Sequence, residues 1–325
     1  MRTKAIQVRE VGGPEKLVPT EIAIADPGPG FARIRLERVG VNFIDTYHRT
    51  GLYPLPLPFV PGVEGAGVVE AVGPDVREVA IGDRVAFALV PGSYAGACLA
   101  PARQLVRIPA ALSFDLAAAT LLQGMTAHYL THGVRAPRPG DTALVHAAAG
   151  GTGGLLIQCL KAAGAKVMGT CSSEEKARLA RAAGADEVVL YDREDFRARA
   201  REWTGGRGVD VVYDSVGRST FEGSLGSLRP RGLLCLFGQA SGPVPPFDLG
   251  RLNGAGSLFV TRPSLGHYVA TRAELEERAA WVFDGLTDGS LKQSIAGHYA
   301  LADAATAHRD LESRRTMGKL LLNVA

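Results

Sequence analysis

Cysteine is scarce: Cys98, Cys159, Cys171 and Cys235 are the only four in 325 residues, and no two lie closer than 12 positions. A CxxC redox or metal unit is therefore absent. A chain of this length needs no disulfide framework, so reduced thiols and a cytoplasmic location are expected. Long apolar runs are lacking too. Nothing approaches the ~20 apolar residues of a membrane helix. The opening stretch Met1–Val8 turns polar at Arg9 and Glu10, without the apolar core of a signal peptide. Nor is there an excess of either charge. Lys+Arg is 36 and Asp+Glu is 33, a net charge of +3, so neither nucleic acid nor a membrane surface is an expected partner.

What the chain has in quantity is glycine, 40 residues, with 19 prolines, scattered without a collagen-like period. They read as turns and close backbone approaches. Hydrophobic residues at 46% and charged residues at 21% fit an ordinary globular protein. At ~150 residues per domain the length suggests two domains.

The first 120 residues look strand-rich. Ile6-Gln7-Val8 and Ala32–Val39 alternate apolar and polar positions, and Gly62–Gly73 reads as a strand with small residues where backbones approach. From 121 to 262 the rhythm changes. Short apolar runs at Thr142–His146, Lys166–Thr170, Glu187–Leu190, Asp210–Asp214, Leu233–Phe237 and Ser257–Thr261 alternate with helical stretches such as Leu155–Ala163 and Glu174–Ala183. That alternation predicts an α/β, doubly wound parallel-sheet dinucleotide-binding domain. Residues 263–325 carry helices over about 272–286 and 302–312 and end on Leu320-Leu321-Leu322. Too short to stand alone, they are expected to complete a β-rich catalytic domain with residues 1–120.

The strand–turn–helix Val145–Gly154 carries the site signal. Read against G-x-G-x-x-G, it places Ala148, Gly150 and Gly153 at the three positions. Gly150 admits a pyrophosphate, Gly153 allows tight helix–sheet packing, and N–H groups at the helix start face the phosphate. The expected cradle is Ala149, Gly150, Gly151, Thr152 and Gly153. At the end of the second strand an NAD site usually has a carboxylate that grips the ribose hydroxyls. Here stand Thr170-Cys171-Ser172-Ser173, with Lys176 in the next turn. Small hydroxyls and an ammonium suit a 2′-phosphate, so NADPH is the expected cofactor. Ser173 can also simply cap the following helix.

Together these residues resemble the medium-chain dehydrogenase/reductase superfamily, and within it the zinc-independent, zeta-crystallin-like NADPH:quinone oxidoreductases. The resemblance rests on Val41–Asp45, Gly51–Pro54, Pro61–Val69, Gly82–Val85, His146–Gly151, Val212–Gly217 and Val260–Ser264, and it spans nearly the whole chain. It implies a GroES-like fold for the β-rich domain. In zinc-dependent relatives a ligand His precedes the Glu of the glycine-rich strand; that position is Val63, which cannot ligate. The early Cys ligand is missing from Val41–Asp45, and only Cys98 falls where a structural zinc lobe would need four cysteines. No metal is expected. Hydride delivery without a Lewis acid suits an activated, conjugated acceptor such as a quinone.

By the same resemblance, Asn42, Tyr47 and Tyr53 lie near the nicotinamide and substrate. Asn42 can donate and accept hydrogen bonds, and Tyr53 can stack on a flat acceptor and donate its phenol proton. Gly124 and Thr126 lie along the cofactor. Close relatives have Lys immediately before that glycine, where this chain has Gln123. Ser173, Lys176, Tyr191 and Arg314 map to positions that hold the 2′-phosphate, with Arg315 as a substitute for Arg314. Gly238, Phe259, Val260 and Thr261 reach the nicotinamide end through backbone groups. Relatives are commonly homodimers joined through the last strand of the cofactor domain, here Ser257–Val260. Two other readings stay open: a reductase of α,β-unsaturated carbonyls or enoyl thioesters, and a nucleotide-loaded RNA-binding or structural, crystallin-like protein.

Overall fold

A computed structural model of the chain describes residues 1–313 and 315–324. It divides into two compact units, Met1–Met125 with Val269–Ala325, and Thr126–Tyr268. These boundaries fall a few residues beyond those expected from the rhythm of the sequence.

In chain order the first stretch contains β1 (Arg2–Gln7), β2 (Val18–Ala23), β3 (Phe31–Val41), α1 (Phe43–Arg49) and β4 (Glu64–Val72). It continues with β5 (Arg84–Ala88), β6 (Ala97–Pro101), β7 (Val106–Arg107) and α2 (Phe114–His128). The middle stretch alternates β8 (Thr142–Val145), α3 (Gly151–Ala162), β9 (Lys166–Cys171), α4 (Glu174–Ala182), β10 (Glu187–Leu190) and α5 (Phe196–Trp203). Then come β11 (Val209–Asp214), α6 (Phe221–Ser227), β12 (Leu228–Leu236), α7 (Gly250–Gly254) and β13 (Phe259–Thr261). The chain closes with α8 (Arg272–Asp288), β14 (Ile295–Ala300), α9 (Ala304–Glu312) and β15 (Lys319–Asn323).

In the second unit the described strands form a parallel sheet of order β10-β9-β8-β11-β12-β13. Numbered within the unit this is 3-2-1-4-5-6, the dinucleotide-binding order, and the direction of winding reverses between β8 and β11. The interior strands are apolar because both faces are covered. Leu144, Met168, Val189, Val212 and Leu234 join Phe221 and Leu258 in one core.

In the first unit the strands run β14-β15-β3-β4-β5-β7, with β6 also paired to β3. All these pairs are antiparallel except β14 with β15. β1 and β2 form a separate hairpin. Leu320 and Leu322 of the closing strand pack in the same core as Ile34, Leu36 and Val39 of β3. The final segment is thus part of the β-rich unit, as its length required.

Residues 1–120 are strand-rich but also hold α1 and the first seven residues of α2. α1 is only seven residues long, too short for a readable apolar period. Its start is fixed locally: the Asp45 carboxylate reaches back to the Asn42 N–H at 2.8 Å. The expected helix starting near Leu155 begins at Gly151, since glycine content hid its first turn.

Candidate active site

In the dinucleotide-type unit the turn after β8 is tight. Ala147 takes a left-handed φ of +50°, and the Ala148 N–H donates to the Thr170 carbonyl at 3.0 Å. A side chain on Gly153 would collide with the Ala147 carbonyl oxygen, so that glycine lets α3 close on the turn. Gly150 differs: a Cβ there would meet only the Ala147 oxygen, at 3.1 Å. The room beside it is what a phosphate needs. The first intrahelical bond of α3 runs from the Gly154 N–H to the Gly150 carbonyl, 2.9 Å. The N–H groups of Gly151, Thr152 and Gly153 therefore stand ahead of the helical ladder, at its positive end, where an anion binds. Ala149 is buried in the same turn.

One strand over, Ser173 caps α4 by accepting from the Lys176 N–H at 3.3 Å, and Lys176 Nζ donates to Ser172 Oγ at 3.3 Å. The Tyr191 N–H donates to the Cys171 carbonyl at 3.2 Å. Ser173, Lys176 and Tyr191 therefore share the carboxyl ends of β9 and β10. Arg314 lies outside the described residues. A Cβ on Gly238 would fall 2.5 Å from the Ser215 oxygen, marking a close approach of the chain after β12 to the loop after β11. Phe259, Val260 and Thr261 form β13, paired with β12. Thr126 is buried. In the other unit, a Cβ on Gly124 would fall 2.6 Å from the Val282 side chain, so the first duty of that glycine is helix packing.

The β-rich unit brings Asn42, Tyr47 and Tyr53 onto or next to α1. The Tyr47 and Tyr53 rings meet edge to face at 5.3 Å, and the Tyr53 N–H donates to the Tyr47 carbonyl at 3.0 Å. The Asn42 amide is engaged within the protein. Nδ2 donates to the Gly40 carbonyl and to Glu64 Oε2, both at 3.1 Å, and Oδ1 accepts from Lys319 Nζ at 2.7 Å. Its amide is committed within the protein, so it would meet a ligand only by giving up one of these bonds.

Glu64 and Lys319 were not singled out as site residues from the sequence. They form a buried ion pair at 2.6 Å, with side chains 0% and 3% exposed. Glu64 Oε1 also accepts from the Leu122 N–H of α2 at 2.8 Å. Gln123 completes the shell, within reach of Lys319 Nζ and of the Asn42 amide. The available signal was a charge in an apolar setting: Glu64 in Gly62–Gly73, and Lys319 directly before three leucines. A charge in such a setting needs a buried partner.

Behind α1 runs a second polar chain. Arg49 contacts His308 Nδ1 at 3.0 Å, His308 Nε2 lies 3.0 Å from the Tyr94 hydroxyl, and that hydroxyl donates to Asp45 Oδ2 at 3.1 Å. Arg49 also holds Glu312 at 2.6 Å. Because arginine only donates, the His308 proton belongs on Nε2, and the donors all point toward Asp45. Burial pushes the Asp45 carboxyl up to about 7. Burial, aided by Arg49, pushes His308 down to about 3. Among the described residues, no group of three or more His, Cys, Asp or Glu side chains could hold a metal ion.

A family model described as alcohol dehydrogenase GroES-like domain matches residues 28–135, and one described as zinc-binding dehydrogenase matches residues 151–282. Over 321 residues the chain is 47% identical to the quinone oxidoreductase of Pseudomonas aeruginosa, covering 98% of this chain and 99% of that protein. The chain belongs to the quinone oxidoreductase family of the medium-chain dehydrogenases/reductases. It is also 44% identical over 327 residues to a 2-haloacrylate reductase of a Burkholderia species, covering 98% of each. The crystal structure of Escherichia coli quinone oxidoreductase complexed with NADPH matches it with a TM-score of 0.97 at 45% identity, covering 98% of this chain and 99% of that one. As a quinone oxidoreductase-family member it keeps the glutamate of the glycine-rich strand but has Val63 before it.

Asp45 and His308 should pull the pH dependence of stability in opposite directions. The Asp45 carboxyl is raised from 3.8, so its contribution is complete below pH 3.8 and is lost as the pH rises through about 7. His308 is lowered from 6.5, so its contribution is present above pH 6.5 and is lost as the pH falls toward 3. Asp45→Asn should make stability rise more steeply between pH 4 and 7, and His308→Gln should flatten or reverse that rise. Each change should be on the order of 2 kcal/mol across the interval. Urea midpoints at half-unit steps check both signs.

Proposed function

We infer that this protein is an NADPH-dependent quinone reductase. The observation that carries the reading is full-length similarity to quinone oxidoreductases, one of them solved with NADPH. The turn at Gly150 fits that cofactor, since it combines open space with the N–H groups of Gly151–Gly153. When bound, NADPH supplies hydride. Ala149 to Gly153 would take the pyrophosphate, and Ser173, Lys176 and Tyr191 would take the 2′-phosphate, with Gly238 and Phe259–Thr261 toward the nicotinamide. Tyr47 and Tyr53 offer flat faces for a planar acceptor, and the Tyr53 phenol can give a proton to the reduced oxygen. Val63 and the dispersed cysteines support a reaction without zinc.

A second reading has its own support in the 44% identity to 2-haloacrylate reductase: reduction of an α,β-unsaturated carbonyl. Like a quinone, such a substrate is electron-poor at the carbon or oxygen that takes hydride.

β13 supports a homodimer. It is the last strand of its sheet, and Phe259 is 61% and Val260 37% exposed. An apolar edge strand invites pairing with a second copy. All four cysteines are free and buried, and burial pushes Cys98, Cys159 and Cys235 up to about 12. Unpaired thiols support a reducing compartment, the cytoplasm.

Side-by-side turnover of 1,4-benzoquinone, 9,10-phenanthrenequinone, 2-chloroacrylate and a crotonyl thioester tests the acceptor. The quinones should give the highest kcat/KM with NADPH, and little should be seen with NADH. Preference for the acrylate would replace the first reading with the second. Lys176→Glu should weaken NADPH binding about tenfold or more by putting like charge against the phosphate, and leave NADH binding nearly unchanged. Fluorescence titration reads both constants. Val260→Lys should shift the sedimentation coefficient from dimer to monomer; an unaltered dimer would rule out this edge.

A further inference from the structure

Lys319 Nζ faces two acceptors. Glu64 Oε2 lies at 2.6 Å and Asn42 Oδ1 at 2.7 Å. The Gln123 side-chain amide lies against both groups, 2.7 Å from Nζ and 2.5 Å from Asn42 Oδ1. An ammonium cannot accept, so Oδ1 of Asn42 must face it. Nδ2 must then face Glu64 and the Gly40 carbonyl. Without the ammonium, the amide could turn over and Glu64 would be a buried carboxylate without a counter-charge.

Asn42 is the residue from which α1 starts, and its N–H is tied to Asp45. Tyr47 follows on that helix, and the Tyr53 ring rests against it. The side chain at 123 reaches Asn42 Oδ1 from the α2 side. A lysine there, about one bond longer than glutamine, would reach the place where Nζ of Lys319 now is.

We propose that Lys319 is a positioning residue for the acceptor side of the reaction, holding Asn42 and through it the Tyr47–Tyr53 pair, and that its charge is exchangeable between positions 319 and 123. This rests on the reading that the tyrosines meet the acceptor. The pairing also accounts for the glutamine at 123, since two ammonium groups could not share one carboxylate in a buried setting.

The test is a double-mutant cycle of Lys319→Gln, Gln123→Lys and the combined variant. It reads kcat and KM for 9,10-phenanthrenequinone, the NADPH dissociation constant by fluorescence, and the urea midpoint. Lys319→Gln should lower kcat/KM for the quinone about tenfold or more while the NADPH constant stays within about twofold. A purely structural loss would move the midpoint and cofactor affinity together with activity. Gln123→Lys alone should also lose activity, and the combined variant should return to within about threefold of the starting protein. A folded Lys319→Gln variant with full quinone kcat/KM would overturn the proposal, as would a combined variant no better than Lys319→Gln. Should Lys319→Gln fail to fold, the combined variant decides: folded and active supports the exchange, and unfolded or inactive overturns it. If the unmodified protein reduces an acrylate instead of a quinone, the quinone reading fails and the cycle is run on that acceptor. If it reduces neither, the acceptor role falls with it, and recovery of the urea midpoint in the combined variant tests the charge exchange alone.

Discussion

A carboxylate placed at the buried start of a strand must find a counter-charge, and much of the β-rich unit follows from that demand. Glu64 lies on β4 between small residues, and Lys319 reaches it from β15. The two strands do not pair directly, since β3 runs between them. The charges therefore meet beside β3, at Gly40, where any side chain would collide with the Glu64 carboxylate. Removing one partner of such a pair costs ~3–5 kcal/mol, because the other is left buried and uncompensated. Against a total stability of ~5–15 kcal/mol, that is enough to hold the last strand of the chain in register with the first half.

The same constraint propagates outward through groups that can only donate or only accept. Lys319 fixes the Asn42 amide, and Asp45 fixes the Asn42 N–H. From Asp45 the order continues through Tyr94 and His308 to Arg49. With a donor-only guanidinium at one end, the His308 proton and then the Tyr94 proton each have one place to be. α1 is too short to be stable by itself. It is held at its start by Asn42 and Asp45 and near its end by the Arg49–Glu312 pair. Tyr47, which it carries, and Tyr53, which packs on Tyr47, therefore owe their placement to buried charge more than to helix propensity.

How much of this was readable from the sequence depended on whether the signal was local. The β/α rhythm, the turn at Gly150 and the Ser173–Lys176 grouping lie within short windows, and periodicity and capping chemistry suffice to find them. Val63 in place of a ligand histidine was equally legible, being one residue read against one motif. The Glu64–Lys319 pair was not, because its members are 255 positions apart and only the strand order brings them together. His308 and Tyr94, 214 positions apart, are the same case. Asn42 was found but the partners of its amide were not, for that reason: they come from β4 and β15. α1 escaped notice because seven residues give fewer than two full turns of period.

The Glu64 environment also bears on the kind of acceptor the protein can serve. A catalytic zinc keeps an open position through which it polarises a substrate oxygen. The cation next to Glu64 here is an ammonium bonded to Glu64 and Asn42. It neutralises the carboxylate and fixes Asn42, and at 3% exposure it is enclosed by the protein. Val63, ahead of Glu64, is an isopropyl group that cannot ligate. Such a site suits an acceptor that is already activated. A quinone meets that requirement because hydride addition at its oxygen makes an aromatic ring. An acrylate meets it less well, because its carboxylate opposes the incoming negative charge, and that difference ranks the two readings.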